Sequence, residues 1–353
     1  MTPRERLLAV LNGKTPDKVP FAPFSELLPR GAFERELRNR GMGLVHHHTS
    51  VVNSSKDITE IRKNIDGKSI TIYQTPVGEV STSFVFKHGV SNDGSVQSEY
   101  MIKAVEDYAA TIAYLDATVF DVDTYDNTYL TDIIGDDGIL HTWSFEPPYM
   151  GAQYYLGFEK WIYDQQDYPD SFKALLDALE RMQERRMSCV IKAPEDIVNI
   201  ANLAGNFSPD AFERDMLPYC RKYASLLSAH GIKTTLHADA SNMNMFKYLV
   251  PKTGINIVEA FTPPPVGDLS LAEARRCWGD AITIWINFPE SVFYEGYEQT
   301  KQYTIELLRS DPCPNKLISF TEMGLMGVSP AISGIYKIGI LAIMDAIDEA
   351  GTY

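Results

Sequence analysis

The chain has 353 residues, 44% of them hydrophobic and 22% charged, which excludes a largely disordered protein and allows one large buried core. Its 47 acidic and 32 basic side chains leave a formal charge of -15. Nucleic acid and anionic membrane surfaces are therefore disfavoured, and a small neutral or cationic ligand or a basic partner protein is easier to accept. No apolar leader opens MTPRERLLAVLNGKTPDKVPF, and nowhere do about 18 apolar residues run uninterrupted. The expectation is a cytoplasmic protein. Cys189, Cys220, Cys277 and Cys313 lie far apart with no C-x-x-C, the pattern of reduced thiols rather than of a disulfide framework or a thiolate zinc knot.

In chain order, PRERLLAVLNG reads as an amphipathic helix stopped by Gly13 and expected to pack across the bottom of a barrel. VPFAPF at 19–24 is the first candidate strand. Residues 44–100 read as a β insertion, because SITIYQTPVGEVSTSFVF alternates like a hairpin around Pro76 and Gly78. The run His46, His47, His48 falls there. Consecutive strand residues alternate faces, so the three cannot converge on one ion, and a solvated loop is expected. From about residue 115 onward, TVFDVD, ILHTW, DIVNIAN, KTTLHAD, INIVEAF, ITIWINF and KLISFTEM each precede a helical pattern. That rhythm belongs to a parallel sheet, and with VPFAPF it gives eight strands, the number that closes a (β/α)8 TIM barrel. SPDAFERDMLPYCRKYASLLSAHG is a helix with Ser208 as N-cap, Pro209 at its first position and Gly231 as its stop. No linker or internal repeat divides the chain, so one domain is expected over 1–353, with 44–100 inserted in it.

In such a barrel the active site lies at the C-terminal ends of the strands. His237 and Asp239 end the fifth strand, Glu259 ends the sixth, Asn287 and Glu290 follow the seventh, and Glu322 ends the eighth. Residues two apart in a strand share a face, so His237 and Asp239 project together. Acids converging on one cleft repel unless a cation neutralises them or some stay protonated, and histidine with carboxylates suits Zn²⁺ or a related divalent ion. In the aromatic run EPPYMGAQYYLGFEKW, Tyr149, Met150 and Tyr154 are candidates for a flat apolar substrate site, with core packing as the alternative. No G-x-G-x-x-G, Walker A sequence or nucleophile elbow is present, so nucleotide and serine-hydrolase chemistry lack support.

The opening TPRERLLAVLNGKTPDKVPF, the TPVGEV hairpin, the helix-strand unit ending KTTLHADAS and the segment GDLSLAEARRCWGD resemble the uroporphyrinogen decarboxylase superfamily. That superfamily also holds corrinoid-dependent methyltransferases, and the resemblance implies a (β/α) barrel. The decarboxylases carry R-Q-A-G-R-Y-L-P at the first strand, with arginines for porphyrinogen carboxylates. Here the stretch is APFSELLP, with Ala22 and Glu26 at those places. Glu26 would meet a polyanionic porphyrinogen with the wrong charge and is instead a candidate substrate contact.

The superfamily's zinc methyltransferases carry His-x-Cys on the fifth strand and a second Cys near the last. His237 matches, Asp239 replaces the first Cys, and Glu322 lies near the second position. The resemblance thus implies metal ligands His237, Asp239 and Glu322, with His237, Glu259 and Asn287 as catalytic candidates. Oxygen ligands make zinc a harder Lewis acid, suited to polarising an oxygen. The expected activity is the cleavage of a methyl donor, an aryl methyl ether, with the methyl group passing to the Co(I) corrinoid of a partner protein. Alternatives are methyl transfer from methylcobalamin to a thiol or tetrahydrofolate, decarboxylation, and a non-catalytic binding barrel. No corrinoid-binding D-x-H-x-x-G occurs in the chain, so the corrinoid is expected on a separate protein; a homodimer is compatible with the sequence.

Overall fold

The computed structural model describes residues 1–25, 29–86, 95–143, 147–203, 208–238, 242–320 and 329–353. Its strands in chain order are β1 (Leu44–His48), β2 (Val51–Ser55), β3 (Thr59–Ile65), β4 (Lys68–Thr75), β5 (Gly78–Phe86), β6 (Ser95–Glu99), β7 (Thr118–Val122), β8 (Gly138–Trp143), β9 (Ile197–Asn202), β10 (Lys233–His237), β11 (Ile257–Phe261), β12 (Thr283–Asn287) and β13 (Lys316–Ser319). The chain sorts into two compact units. Unit 1 comprises Met1–Thr49, Tyr125–Ser144 and Pro194–Tyr353; unit 2 comprises Ser50–Thr124 and Phe145–Ala193.

Unit 1 is built on a curled sheet of seven parallel strands in the order β1-β8-β9-β10-β11-β12-β13. Strands such as IVNIAN, TIWIN and KLIS are buried along nearly their whole length, as parallel strands covered on both faces must be. Val45, Ile139, Ile197, Ile257, Trp285 and Leu317 meet on the inner face, where Leu7, Val10 and Leu11 of the helix Pro3–Leu11 join them. That helix has a capping box: Thr2 Oγ1 accepts from the Glu5 N–H, and Glu5 accepts from the Thr2 N–H. It covers the N-terminal ends of the strands, as expected. Arg4 donates to the carbonyl of Gly138 at 2.8 Å and pairs with Asp196 at 2.8 Å, and Thr283 Oγ1 donates to the Val10 carbonyl at 3.4 Å.

The segment 19–25 hydrogen-bonds to both edge strands. Ala22 N–H donates to the Ile318 carbonyl at 2.9 Å and Ile318 N–H to that of Pro20 at 2.9 Å; on the other side Val45 N–H donates to the Pro23 carbonyl at 3.0 Å and Ser25 N–H to that of Val45 at 2.8 Å.

Two assignments differ from the sequence reading. TVFDVD is not in the parallel sheet: β7 pairs antiparallel with β2 in a two-stranded ribbon of unit 2. Asp121 and Asp123 give it the alternation of a half-exposed strand, whereas buried parallel strands read as continuous apolar runs. Conversely, Leu44–His48, expected in the insertion as a solvated loop, is β1 and pairs in register with β8. Its histidines disguise a strand whose start, Leu44 and Val45, is buried.

The helical stretch after Ser208 starts as expected, with Ser208 Oγ accepting from Ala211 N–H, and ends before Gly231, whose φ is +79°. Between Pro209–Ala211 and the helix Leu217–Ala229 lies a wide turn, Phe212–Met216. Pro218 has no N–H to close an ordinary turn there. The helix Pro330–Ala350 is the one among the described residues that is long and apolar enough to cross a membrane. Here Tyr336, Ile340, Ile343 and Ile347 form a buried stripe, and the helix packs along the helix Tyr297–Ser310.

Unit 2 holds the antiparallel sheet β3-β4-β5-β6 and the β2-β7 ribbon. The expected hairpin is present, with Thr75 opposite Gly78 across Pro76 and Val77. Val80, Met101 and Ala110 form its core with Tyr73, Tyr114 and Tyr155.

Candidate functional site

The site forms at the C-terminal end of the inner face of unit 1. His237 is the last residue of β10, opposite Glu259 of β11. Its Nδ1 is hydrogen-bonded to Glu259 Oε2, and the Glu259 carboxylate is buried, with 1% exposure. An ionised carboxylate only accepts, so in this contact Nδ1 is the donor. Glu259, one of the catalytic candidates, is thus in direct contact with the histidine ring.

The backbone that aims Glu259 is irregular. β11 carries one extra residue against β12 between Val258 and Phe261, and Ala260 has φ of +58°, a conformation that an L residue adopts only when its surroundings impose it. Ala238 N–H donates to the Glu259 carbonyl at 2.7 Å, tying the two strand ends together. β9 has a similar bulge where it pairs with Thr235 and Leu236.

Asn287 ends β12. Its Nδ2 donates to Thr262 Oγ1 at 3.1 Å, while its buried Oδ1 has no partner among the described residues. Glu290 follows, accepting from Tyr336 OH at 3.0 Å. Asp239 and Glu322, the other two expected metal ligands, and Glu26, the expected substrate contact, lie outside the described residues. Among the described residues, no group of three or more His, Cys, Asp and Glu is placed to hold a metal.

Tyr149 and Met150 are buried in unit 2, and Tyr154 is exposed there. The Tyr149 ring meets Trp161 with centroids 4.8 Å apart, its hydroxyl bonds Gln165 at 3.2 Å, and Trp161 Nε1 donates to its carbonyl at 2.8 Å. These contacts are those of a core residue, the alternative already raised by the sequence.

The sequence reading missed an aromatic and imidazole cluster beside His237. Trp143, the last residue of β8, has its ring centroid 5.0 Å from that of His237, 5.6 Å from His47 and 5.8 Å from His141. His47 and His141 are 4.7 Å apart, and Phe24 and Trp285 pack on them from below. Burial holds the His141 pKa well below its ordinary value, reinforced by the neighbouring His47, His237 and His48, so it stays neutral. Its Nε2 lies 3.5 Å from Thr235 Oγ1. A signal was present in ILHTW: Ile139, His141 and Trp143 alternate onto one face of a barrel strand, so the last two point where the site is. His48, by contrast, pairs with the buried Glu195 at 3.0 Å, which also accepts from Thr142 Oγ1 at 3.1 Å.

All four cysteines are free thiols, and burial pushes Cys220 up to about 12, so it is inert.

No family model matches the chain, and no curated protein matches it by sequence. Solved structures do match. One is a methyltransferase from Methanosarcina mazei, which is 14% identical, covers 99% of each chain and superposes with a TM-score of 0.59. At that identity the likeness establishes a shared fold along the whole chain.

Proposed function

We propose that this protein is a methyltransferase of the uroporphyrinogen decarboxylase superfamily that cleaves an aryl methyl ether and passes the methyl group to a corrinoid carried by a partner protein. The observation that carries the reading is His237, placed at a strand end with Nδ1 bound by the buried Glu259. A carboxylate on one ring nitrogen is the arrangement that fixes a metal-ligating histidine and raises the basicity of the other nitrogen. The fold shared with a methyltransferase supports the reaction class. On this reading, segment 19–25 is the eighth element that closes the sheet into a barrel, since it bonds both edge strands. The whole chain is then one barrel with an insertion, working in the cytoplasm.

His237, held at a strand end by Glu259, would be one ligand, and Asp239 and Glu322 would complete the set around Zn²⁺. Zinc held there supplies Lewis acidity at the ether oxygen, and the partner's corrinoid supplies the nucleophile for the methyl carbon. The chain's own residues do the rest. Glu259 holds Nδ1 and so fixes the orientation of the His237 ring. The packed cluster of Trp143, His141 and His47 keeps the His237 ring in place and excludes water from beneath it. Asn287 Oδ1 offers an acceptor to a hydroxyl of the bound donor or product.

The test is elemental analysis of the purified chain, followed by incubation with Co(I) cobalamin and a panel of methoxylated aromatics, methylamines and methylthiols. The reading expects near-stoichiometric zinc and methylcobalamin from a methoxylated aromatic. A metal-free chain inactive with every donor refutes it.

A further inference from the structure

Two neighbouring side-chain atoms at the end of the inner face, Asn287 Oδ1 and Ser319 Oγ, are buried and have no hydrogen-bond partner among the described residues. Asn287 ends β12 directly opposite Ser319, which ends β13. Trp285 and Leu317, two residues earlier in the same strands, belong to the inner cluster, so Asn287 and Ser319 face the same interior one layer nearer the strand ends. The Ser319 carbonyl is taken by the Phe288 N–H at 2.8 Å; its hydroxyl, on a residue 2% exposed, is not. A short relay fixes the Asn287 amide. Its Nδ2 donates to Thr262 Oγ1 at 3.1 Å, and that hydroxyl donates in turn to the Ala260 carbonyl at 3.2 Å. Turning the amide over would break the relay, so Oδ1 is the atom presented to the interior. An acceptor and a hydroxyl left unmatched in a buried position are costly, and strands about 4.8 Å apart place both within reach of one small group.

We infer that Asn287 and Ser319 form a neutral polar subsite that binds a free hydroxyl of the methyl donor, the hydroxyl donating to Asn287 Oδ1 and accepting from Ser319 Oγ. This rests on the proposed function and narrows its donor to an aryl methyl ether that also carries a hydroxyl. A hydroxyl fits because it is donor and acceptor at once. A carboxylate only accepts, so it would oppose Asn287 Oδ1, and an alkyl group would leave both atoms unmatched. The rival occupant is a resident water bridging the pair.

The experiment uses the full chain at neutral pH, where a phenol keeps its proton, with methoxybenzene, the isomeric methoxyphenols and methoxybenzoate as probes. Affinities are measured by calorimetry for wild type, Ser319→Ala and Asn287→Leu, with thermal melts to establish that each variant is folded. Ser319→Ala carries the test alone if Asn287→Leu does not fold. In wild type at least one methoxyphenol is expected to bind about tenfold more tightly than methoxybenzene, equivalent to about 1.4 kcal/mol. Ser319→Ala should keep only part of that preference and Asn287→Leu should lose it, while the affinity for methoxybenzene stays within about twofold. Equal affinities for methoxybenzene and every methoxyphenol in wild type, the result expected of a resident water, overturn the inference. So do an unchanged preference in folded Ser319→Ala, tightest binding of methoxybenzoate, or no binding at all. Methyl transfer to Co(I) cobalamin is followed on the same preparations. Transfer that ignores both substitutions and the donor's hydroxyl sinks the subsite and leaves the proposed function standing. Methoxyphenol binding that depends on the pair, with no transfer from any donor, does the reverse.

Discussion

Removing the Glu259 carboxylate should damage the site more than the fold. In Glu259→Ala the His237 ring loses its hydrogen-bond partner in a partly buried position, which costs roughly 1–3 kcal/mol. The same change relieves the desolvation of a carboxylate that is 1% exposed, and this offsets part of the loss. The net expectation is about 1–2 kcal/mol, or about 1–3 °C in Tm at roughly 1.4 °C per kcal/mol for a chain of this length. Glu259→Gln keeps an oxygen in the same place, so it should cost less than about 1 kcal/mol. If the carboxylate orients a metal ligand, Glu259→Ala should weaken zinc binding roughly 10- to 100-fold, and Glu259→Gln less. The assay pairs thermal melts with ring-nitrogen NMR of His237, which reports the tautomer directly. A Glu259→Ala protein with wild-type Tm and an unchanged Nδ1–H tautomer would refute the reasoning.

Two further predictions concern the framework. A Cβ on Gly339 would lie 2.2 Å from Cδ1 of Phe293, whose ring is clamped between Tyr336 and Phe320 at centroid distances of 5.3 and 5.7 Å. Gly339→Ala should therefore lose at least about 1–3 kcal/mol, whereas Gly334→Ala on the same helix, with nothing within 4 Å of its Cβ, should be neutral or slightly stabilising in the same melts. Lys316 is 1% exposed and donates to the carbonyls of Asp311 and Cys313 at 2.6 and 2.7 Å, and burial lowers its pKa to about 8. Since the unfolded lysine titrates near 10.4, at about its ordinary value, the unfolded chain binds more protons between those values, and Lys316 makes stability rise as pH climbs from about 8 to 10. Denaturant titrations should show that rise in wild type relative to Lys316→Met, and a difference that stays constant over this range contradicts it.

The parts of the fold that could be read from sequence are those where one local pattern admits one structure. KTTLHADAS begins with a buried strand and places His237 at its end because a short β-branched run between a glycine stop and a polar stretch has few alternatives. The capping box of Thr2 and Glu5, the Ser208 cap and the Pro76 hairpin are equally local. β1 was missed because LVHHH carries histidines where a barrel strand usually carries valine or isoleucine. Those histidines have different duties, His47 in the inner cluster and His48 on Glu195, and only the register with β8 reveals that. TVFDVD was misplaced for the opposite reason, since strand propensity says nothing about which sheet a strand joins. The role of Glu259 depends on a single cross-strand bond and on the bulge at Ala260, neither of which leaves a mark in the order of residues.

The most direct test of the account is His237→Ala, assayed for zinc content, Tm and methyl transfer from methoxybenzene to Co(I) cobalamin on one preparation. The ring sits at a strand end, so its loss should lower stability by no more than roughly 1–3 kcal/mol while removing one of the three or four bonds that hold a zinc ion. The account predicts a folded protein that has lost most of its zinc and all methyl transfer. A folded His237→Ala protein that keeps full zinc and full turnover would contradict it.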